Sequence, residues 1–114
     1  MTIEEFYNAV GGSYASVKEL FLTDERIRKY VLKFKTEGSY QKLMDAVASG
    51  EPKAAFEAAH AFKGVAGNIG FTRLFNAASD LTEQLRGSQE PADPQLVEKI
   101  REYYAEVQEN ILKL

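Results

Sequence analysis

The chain contains one histidine, His60, and the residues that follow it give this imidazole a possible chemistry. A neutral imidazole is a good nucleophile near neutral pH. Lys63 comes three residues later, and on a helix this spacing places its ammonium group on the same face. That cation would be within reach of an anion attached to the ring and would offset the charge of a phosphoryl group. The pair predicts a site that carries a phosphoryl group.

Two glycines, Gly64 and Gly67, share this helix face with His60. A glycine inside a helix costs about 0.8–1.0 kcal/mol relative to alanine, and the surrounding segment is rich in alanine. Positions that go against propensity are often functional, and here the use would be access of another molecule to the imidazole. The alternative is a contact between small residues that lets two helices pack closely, which would need both glycines on the core side.

A helical wheel at about 100° per residue indicates which way His60 points. The opposite face is entirely apolar and is predicted to be the core side, with Ala55, Ala58, Phe62, Val65 and Ile69. His60 should therefore face water. The residues around it are predicted to contact a partner: Lys53, Phe56, Glu57 and Gly67, with Asn68 at the end of the helix. For Phe56, an equally good interpretation is that the ring is partly exposed without contacting a partner.

The segments that must position this face are helical nearly throughout. Thr2 and Glu5 have the form of a capping box, and the short helix after them should end at Gly11-Gly12. Residues 13–22 form a weaker helical segment. Five further helices are predicted, over residues 24–37, 40–49, 52–68, 71–86 and 94–113. The first two have apolar stripes that point in different directions, which predicts a break at Gly38, with Gly38 ending one helix and Ser39 capping the next.

The predicted fold is all-α, since no segment alternates as a strand would. Short loops between long amphipathic helices favour an up-down antiparallel four-helix bundle with additional N-terminal helices. We expect one domain, with an N-terminal helical extension over residues 1–22 and the bundle over residues 23–114. The residues predicted to be buried are Ala55, Phe62, Val65, Leu74, Leu81, Ile100 and Val107.

Composition excludes several classes of function. The chain has no cysteine, so it has no disulfide, thiolate metal site or cysteine nucleophile. A net charge of −3 is a poor fit for binding nucleic acid or an anionic membrane surface. No apolar run approaches the length of a membrane span, and the N-terminus lacks the pattern of a secretory signal. We therefore expect a cytoplasmic protein with no nucleic-acid or membrane partner.

Residues 59–70, Ala-His-Ala-Phe-Lys-Gly-Val-Ala-Gly-Asn-Ile-Gly, closely resemble the signature of histidine phosphotransfer (HPt) domains, H-x-[LF]-K-G-x-A-x-N-[LI]-G. The similarity extends over about residues 27–112, which leaves the first 25 residues outside the family core. The resemblance implies a four-helix bundle whose exposed histidine receives a phosphoryl group from the aspartate of one receiver domain and passes it to another. By position, His60 would be phosphorylated, Lys63 would stabilise the charge, and Gly64 would permit the approach of the receiver.

The resemblance also implies the partners of a two-component phosphorelay, namely response-regulator receiver domains and a sensor histidine kinase, which can be a hybrid kinase. The chain has no glycine-rich nucleotide loop and no acidic cluster for Mg²⁺. We therefore expect a phosphocarrier, not an enzyme, with no cofactor of its own and with Mg²⁺ supplied by the receiver domain. The expected form is a free-standing monomer.

Three alternatives stand beside this interpretation. His60 could be an ordinary surface or core histidine, the commonest situation for a lone histidine. Glu57 and His60 form a Glu-x-x-His step of the kind found in di-iron bundles, but those sites need two such steps pointing inward, and the chain has one histidine. The bundle could also be an unphosphorylated interaction module that docks on or inhibits a kinase or response regulator.

Overall fold

The computed structural model describes all 114 residues as seven helices without a strand, and the predicted all-α class is confirmed. The helices are α1 (Ile3–Ala9), α2 (Tyr14–Phe21), α3 (Asp24–Phe34), α4 (Ser39–Ser49), α5 (Pro52–Asn68), α6 (Thr72–Leu85) and α7 (Pro94–Ile111). None of them is long and apolar enough to cross a membrane.

Side-chain caps fix the starts of four helices. The predicted capping box before α1 is present, since the Thr2 hydroxyl accepts from the Glu5 amide and the Glu5 carboxylate accepts from the Thr2 amide. Ser13 and Thr23 cap α2 and α3 through the amide three residues later, and Asp93 caps α7. Each cap satisfies an amide that the first helical turn leaves without a partner.

The break between α3 and α4 is present, but the predicted caps around it were wrong. Gly38 precedes α4 as its N-cap, with φ of −88°, and Ser39 is already the first helical residue. The reason is Glu37, whose carboxylate accepts from the Ser39 amide at 2.9 Å and also from the Ser39 hydroxyl. Glu37 thus accepts from the first amide of α4, at the end of the helix where Ser39 was expected to be the N-cap.

Helices α4 to α7 form the predicted up-down four-helix bundle, in which successive helices are neighbours and α5 makes its most extensive contact with α6. The bundle closes between α4 and α7, where the rings of Tyr40 and Tyr104 stack with centroids 3.7 Å apart. Six of the seven residues predicted to be buried are buried: Ala55, Phe62, Leu74, Leu81, Ile100 and Val107. The prediction for Val65 was wrong, because this side chain is only half-buried.

The Val65 error has a geometric cause in the orientation of α5. The buried stripe of α5 combines three alanines with two large apolar residues, and its members are Ala55, Ala59, Phe62, Ala66 and Ile69. Relative to the predicted stripe, the core direction is turned by about 40°. Alanines at residues 59 and 66 let α5 approach its neighbours closely, and Ala58 and Val65 consequently lie at the edge of the core.

The N-terminal helices belong to the same hydrophobic core as the bundle. Phe6 and Tyr7 of α1 are fully buried, and both rings pack against Phe71 at the start of α6. The Tyr7 hydroxyl donates to the carbonyl oxygen of Ile69 at 2.8 Å. Helices α1 and α2 therefore hold the turn that follows α5. The boundary after residue 22 stays a prediction.

Candidate functional site

His60 lies in the middle of α5 and is exposed to solvent, as the helical wheel predicts. It occupies the side of α5 away from the buried stripe, so the burial of Phe62 and Ala66 fixes the orientation of the imidazole. Pro52 at the first helical position and the turn at Gly70, where φ is +74°, bound a helix of 17 residues. The imidazole is thus presented on a rigid element, about two turns from either end.

An aromatic ring lies beside the imidazole. The Phe56 ring, one turn earlier on α5, is nearly parallel to the His60 ring, with an interplanar angle of 15° and centroids 6.1 Å apart. The Arg86 guanidinium carbon also lies 5.1 Å from the Phe56 centroid, a cation–π distance. Arg86 is held in turn by Glu83, to which it donates two hydrogen bonds of 3.0 and 3.2 Å. Phe56 is therefore supported from α6 and flanks the imidazole.

Lys63 lies on the side of this face that adjoins α6. Its ammonium nitrogen is 5.9 Å from the centroid of Phe75, and its side chain is half-buried. Hydrogen bonds from Arg86 hold the pKa of the Glu83 carboxyl below its usual range, and the charge of Lys63 acts in the same direction. The site therefore combines an exposed imidazole with two cations, one carboxylate and two aromatic rings.

The two glycines on this face differ in what surrounds them. A Cβ added to Gly64 would meet no atom within 4 Å, so the space beside His60 is open there. A Cβ added to Gly67 would lie 2.9 Å from Cδ1 of Phe75, too close for unshifted packing. Gly64 thus fits the access interpretation. Gly67 fits the packing alternative, even though it is exposed and off the core side.

The remaining predicted contact residues are all at the surface. Lys53, Glu57 and Asn68 are exposed, and Asn68 is the last residue of α5. Glu57 and His60 both face solvent, whereas a di-iron site would need them to point inward. No group of three or more histidine, cysteine, aspartate or glutamate side chains is placed to hold a metal ion.

The sequence reasoning missed several residues that shape this surface. Phe75 and Arg86 belong to the helix predicted over residues 71–86, but neither was predicted to lie near His60. Both lie on the side of α6 that adjoins the His60 face. The spacing of Phe75, Glu83 and Arg86 along one helix was the sequence pattern that could have indicated this shared side. The closeness of Ser13 and Ser16 to Gly64 and Gly67 depends on the docking of α2, which no local pattern shows.

The comparison with known protein families agrees with this geometry. The profile of the Hpt domain matches residues 34–110, about two thirds of the chain. The chain belongs to the Hpt domain family. Hpt domains are phosphotransfer modules of two-component systems that interact with receiver domains and kinases, and as a class they are phosphocarriers. The match covers α4, α5 and α6 and nearly all of α7.

The Hpt match begins at Phe34, so α1, α2 and almost all of α3 precede it. No curated protein and no solved structure matches the chain.

Proposed function

We propose that this Hpt protein accepts a phosphoryl group on His60 from the aspartyl phosphate of one receiver domain and passes it to the aspartate of another. The observation that carries the proposal is the exposure of the chain's single imidazole beside the open space over Gly64. A partner carrying a phosphoryl group can approach the ring there without meeting a side chain at residue 64.

In the forward step, the lone pair of a ring nitrogen of neutral His60 forms a bond to phosphorus as the bond between phosphorus and the aspartate oxygen breaks. The electron pair of that bond leaves with the carboxylate. In the second step, a carboxylate oxygen of the aspartate of the second receiver forms a bond to phosphorus as the bond between phosphorus and the ring nitrogen breaks. The electron pair of that bond returns to the nitrogen and regenerates the neutral imidazole of His60. Lys63, three residues from His60 on the same helix, offsets the charge of the phosphoryl group while it is attached.

This chain's residues supply the nucleophile, a cation and access, while the receiver supplies the acyl phosphate and the acidic pocket for Mg²⁺. We expect no labelling from ATP and Mg²⁺ alone, because phosphoryl transfer from ATP needs a site that positions the nucleotide. A sensor histidine kinase, hybrid or not, would load the relay upstream. The partners should engage a monomer through small, transient interfaces.

The test is incubation of the purified chain with a receiver domain carrying labelled phosphate. The label should move to the chain, be lost in acid as phosphohistidine is, and return to unphosphorylated receiver. The variant His60→Gln should take up no label while its circular dichroism and thermal midpoint stay nearly unchanged, because an exposed side chain contributes little to stability.

Label that persists on His60→Gln would place the acceptor elsewhere. No label on the wild-type chain, with receiver binding intact, would instead identify an unphosphorylated docking module.

Access can be tested at the neighbouring residue. Gly64→Gln puts a long side chain into the open space and leaves His60 itself unchanged. It should slow transfer from the receiver, because it obstructs the approach. Transfer at the wild-type rate would show that Gly64 serves another purpose.

A further inference from the structure

A groove runs along the surface beside the C-terminal half of α5, between the starts of α2 and α6. It is lined by glycine backbone of α5, by hydroxyl-bearing side chains at the starts of α2 and α6, and by one aromatic ring of α6. The residues that form it include Ser13, Ser16, Gly64, Gly67, Thr72 and Phe75. The groove contains both glycines of the His60 face and is therefore continuous with the proposed phosphotransfer surface.

The groove is held by backbone contacts between the N-terminal segment and the α5–α6 turn. The Ser13 amide donates to the Gly70 carbonyl oxygen at 2.9 Å, and the Arg73 amide donates to the Gly11 carbonyl oxygen at 3.1 Å. The hydroxyl of Ser13 also donates to that of Ser16 at 2.8 Å. The α2 wall is thus fixed to the helix that carries His60, and a partner would meet a preformed surface.

The position of the groove decides what covers it. At about 1.5 Å per residue, Gly64 and Gly67 lie roughly 6 and 10 Å from His60 along the helix axis. A protein interface of ordinary size buries about 800 Å² on each partner, which corresponds to a disc of roughly 16 Å radius. A protein that is centred on His60 with a footprint of this size therefore also covers the groove and the hydroxyls of α2.

We infer that this groove is a docking subsite for the receiver domain and that α2 helps to determine which receivers bind. This inference rests on the proposed function. The ring of Phe75 and the open backbone at Gly64 accept an apolar side chain of the receiver. The hydroxyls of Ser16 and Thr72, both exposed, hydrogen-bond the polar groups around it. Because α2 precedes the Hpt match at residue 34, this selectivity comes from outside the family region.

The experiment compares Ser16→Arg with Ala15→Arg in the full chain. Both residues are exposed on the first turn of α2, but only Ser16 lines the groove. The two variants have the same charge and the same added side chain. The measurements are the dissociation constant for a receiver domain, the rate of transfer from that receiver after phosphorylation, and labelling by phosphoramidate, a small donor that releases ammonia and needs no docking surface.

Ser16→Arg should weaken receiver binding and slow transfer at low receiver concentration by about tenfold or more, as expected for a blocked interface position. Ala15→Arg should behave as wild type, and phosphoramidate should label all three proteins equally. Thr72→Arg obstructs the groove from the α6 side and should repeat the effect, so the inference stays testable if one variant fails to fold.

Equal receiver binding by Ser16→Arg and Ala15→Arg would overturn the inference and leave the proposed function intact. Failure of both phosphoramidate and the receiver to label wild-type His60 would instead overturn the proposed function, and with it the inference.

Discussion

Gly67 packs directly against the ring of Phe75, and this contact distinguishes it from Gly64, one turn earlier on the same helix. A Cβ at residue 67 would lie 2.9 Å from Cδ1 and 3.1 Å from Cε1 of that ring. The ammonium group of Lys63 lies over the same ring. Gly67 therefore lets α6 bring Phe75 under Lys63, while Gly64 leaves the space beside His60 open.

The two glycines should respond differently to alanine. Gly64→Ala should raise the free energy of unfolding by up to about 1 kcal/mol, because alanine has the higher helix propensity and nothing obstructs its methyl group. Gly67→Ala gains the same propensity but forces the Phe75 ring to move, so it should be less stable than Gly64→Ala. Urea unfolding of both variants measures the difference. Equal stabilisation would show that Phe75 shifts freely.

Lys63→Ala should shorten the lifetime of phosphohistidine or slow transfer, because the cation beside the phosphoryl group is lost. Receiver affinity should change little. The matched variant is Lys53→Ala, which removes an exposed cation seven residues before His60 on the same helix. That change should alter receiver affinity and its salt dependence instead. The hydrolysis rate of labelled protein separates the two, and an unchanged rate and unchanged transfer in Lys63→Ala would remove Lys63 from the mechanism.

Phe62→Ala should lower the free energy of unfolding by about 3–5 kcal/mol, the usual cost of a large cavity in a core. Phe62 is fully buried and its ring lies near those of Tyr40 and Tyr104. Leu20→Ala is the control, since Leu20 is 65% exposed and should change stability by less than about 0.5 kcal/mol. Chemical denaturation tests both. A loss below about 1 kcal/mol in Phe62→Ala would mean that the core collapses around the missing ring.

Stability should fall in alkaline solution because of Tyr7. Burial raises the pKa of Tyr7 above its ordinary value of about 10. The neutral phenol is favoured by folding, so its contribution is complete below about pH 10 and is lost as the pH rises from there toward the folded-state pKa. Ionisation would also remove the hydrogen bond to the Ile69 carbonyl oxygen.

The control for this pH dependence is Tyr7→Phe. Below pH 10 it should be about 1 kcal/mol less stable than wild type, since the Ile69 carbonyl loses its donor. Above pH 10 its stability should fall less steeply than that of the wild type, which isolates Tyr7 from the other tyrosines. Urea unfolding across this range makes the comparison, and parallel pH profiles would contradict the assignment.

The local features of this fold could be predicted from the sequence because they depend on neighbours in the chain. The capping box at Thr2, the break near Gly38 and the outward position of His60 all follow from spacing within one or two turns. The predicted core face of α5 was turned by about 40° because alanines lie on several sides of this helix, and a helical wheel does not reveal how closely adjacent helices approach. That distance is set by tertiary packing.

Features that depend on two distant segments could not be predicted in the same way. Tyr7 and Ile69 are 62 residues apart, and nothing local to either indicates their hydrogen bond. Leu22, at the end of α2, has φ of +74°, a conformation rarely adopted by leucine, and no pattern around it predicts this. The groove beside Gly64 and Gly67 likewise exists only because α2 is tied to the α5–α6 turn.

The nearly parallel arrangement of Phe56 and His60 gives the protein a built-in spectroscopic probe. His60 is the only histidine, so its two carbon-bound ring protons give the only imidazole signals in an NMR spectrum. The circulating electrons of the Phe56 ring shift those signals according to the distance and tilt between the rings. Phosphorylation, receiver docking or loss of the contact between Arg86 and Phe56 would each shift the two His60 ring-proton resonances. The state of the site can therefore be followed without attaching a label to the chain.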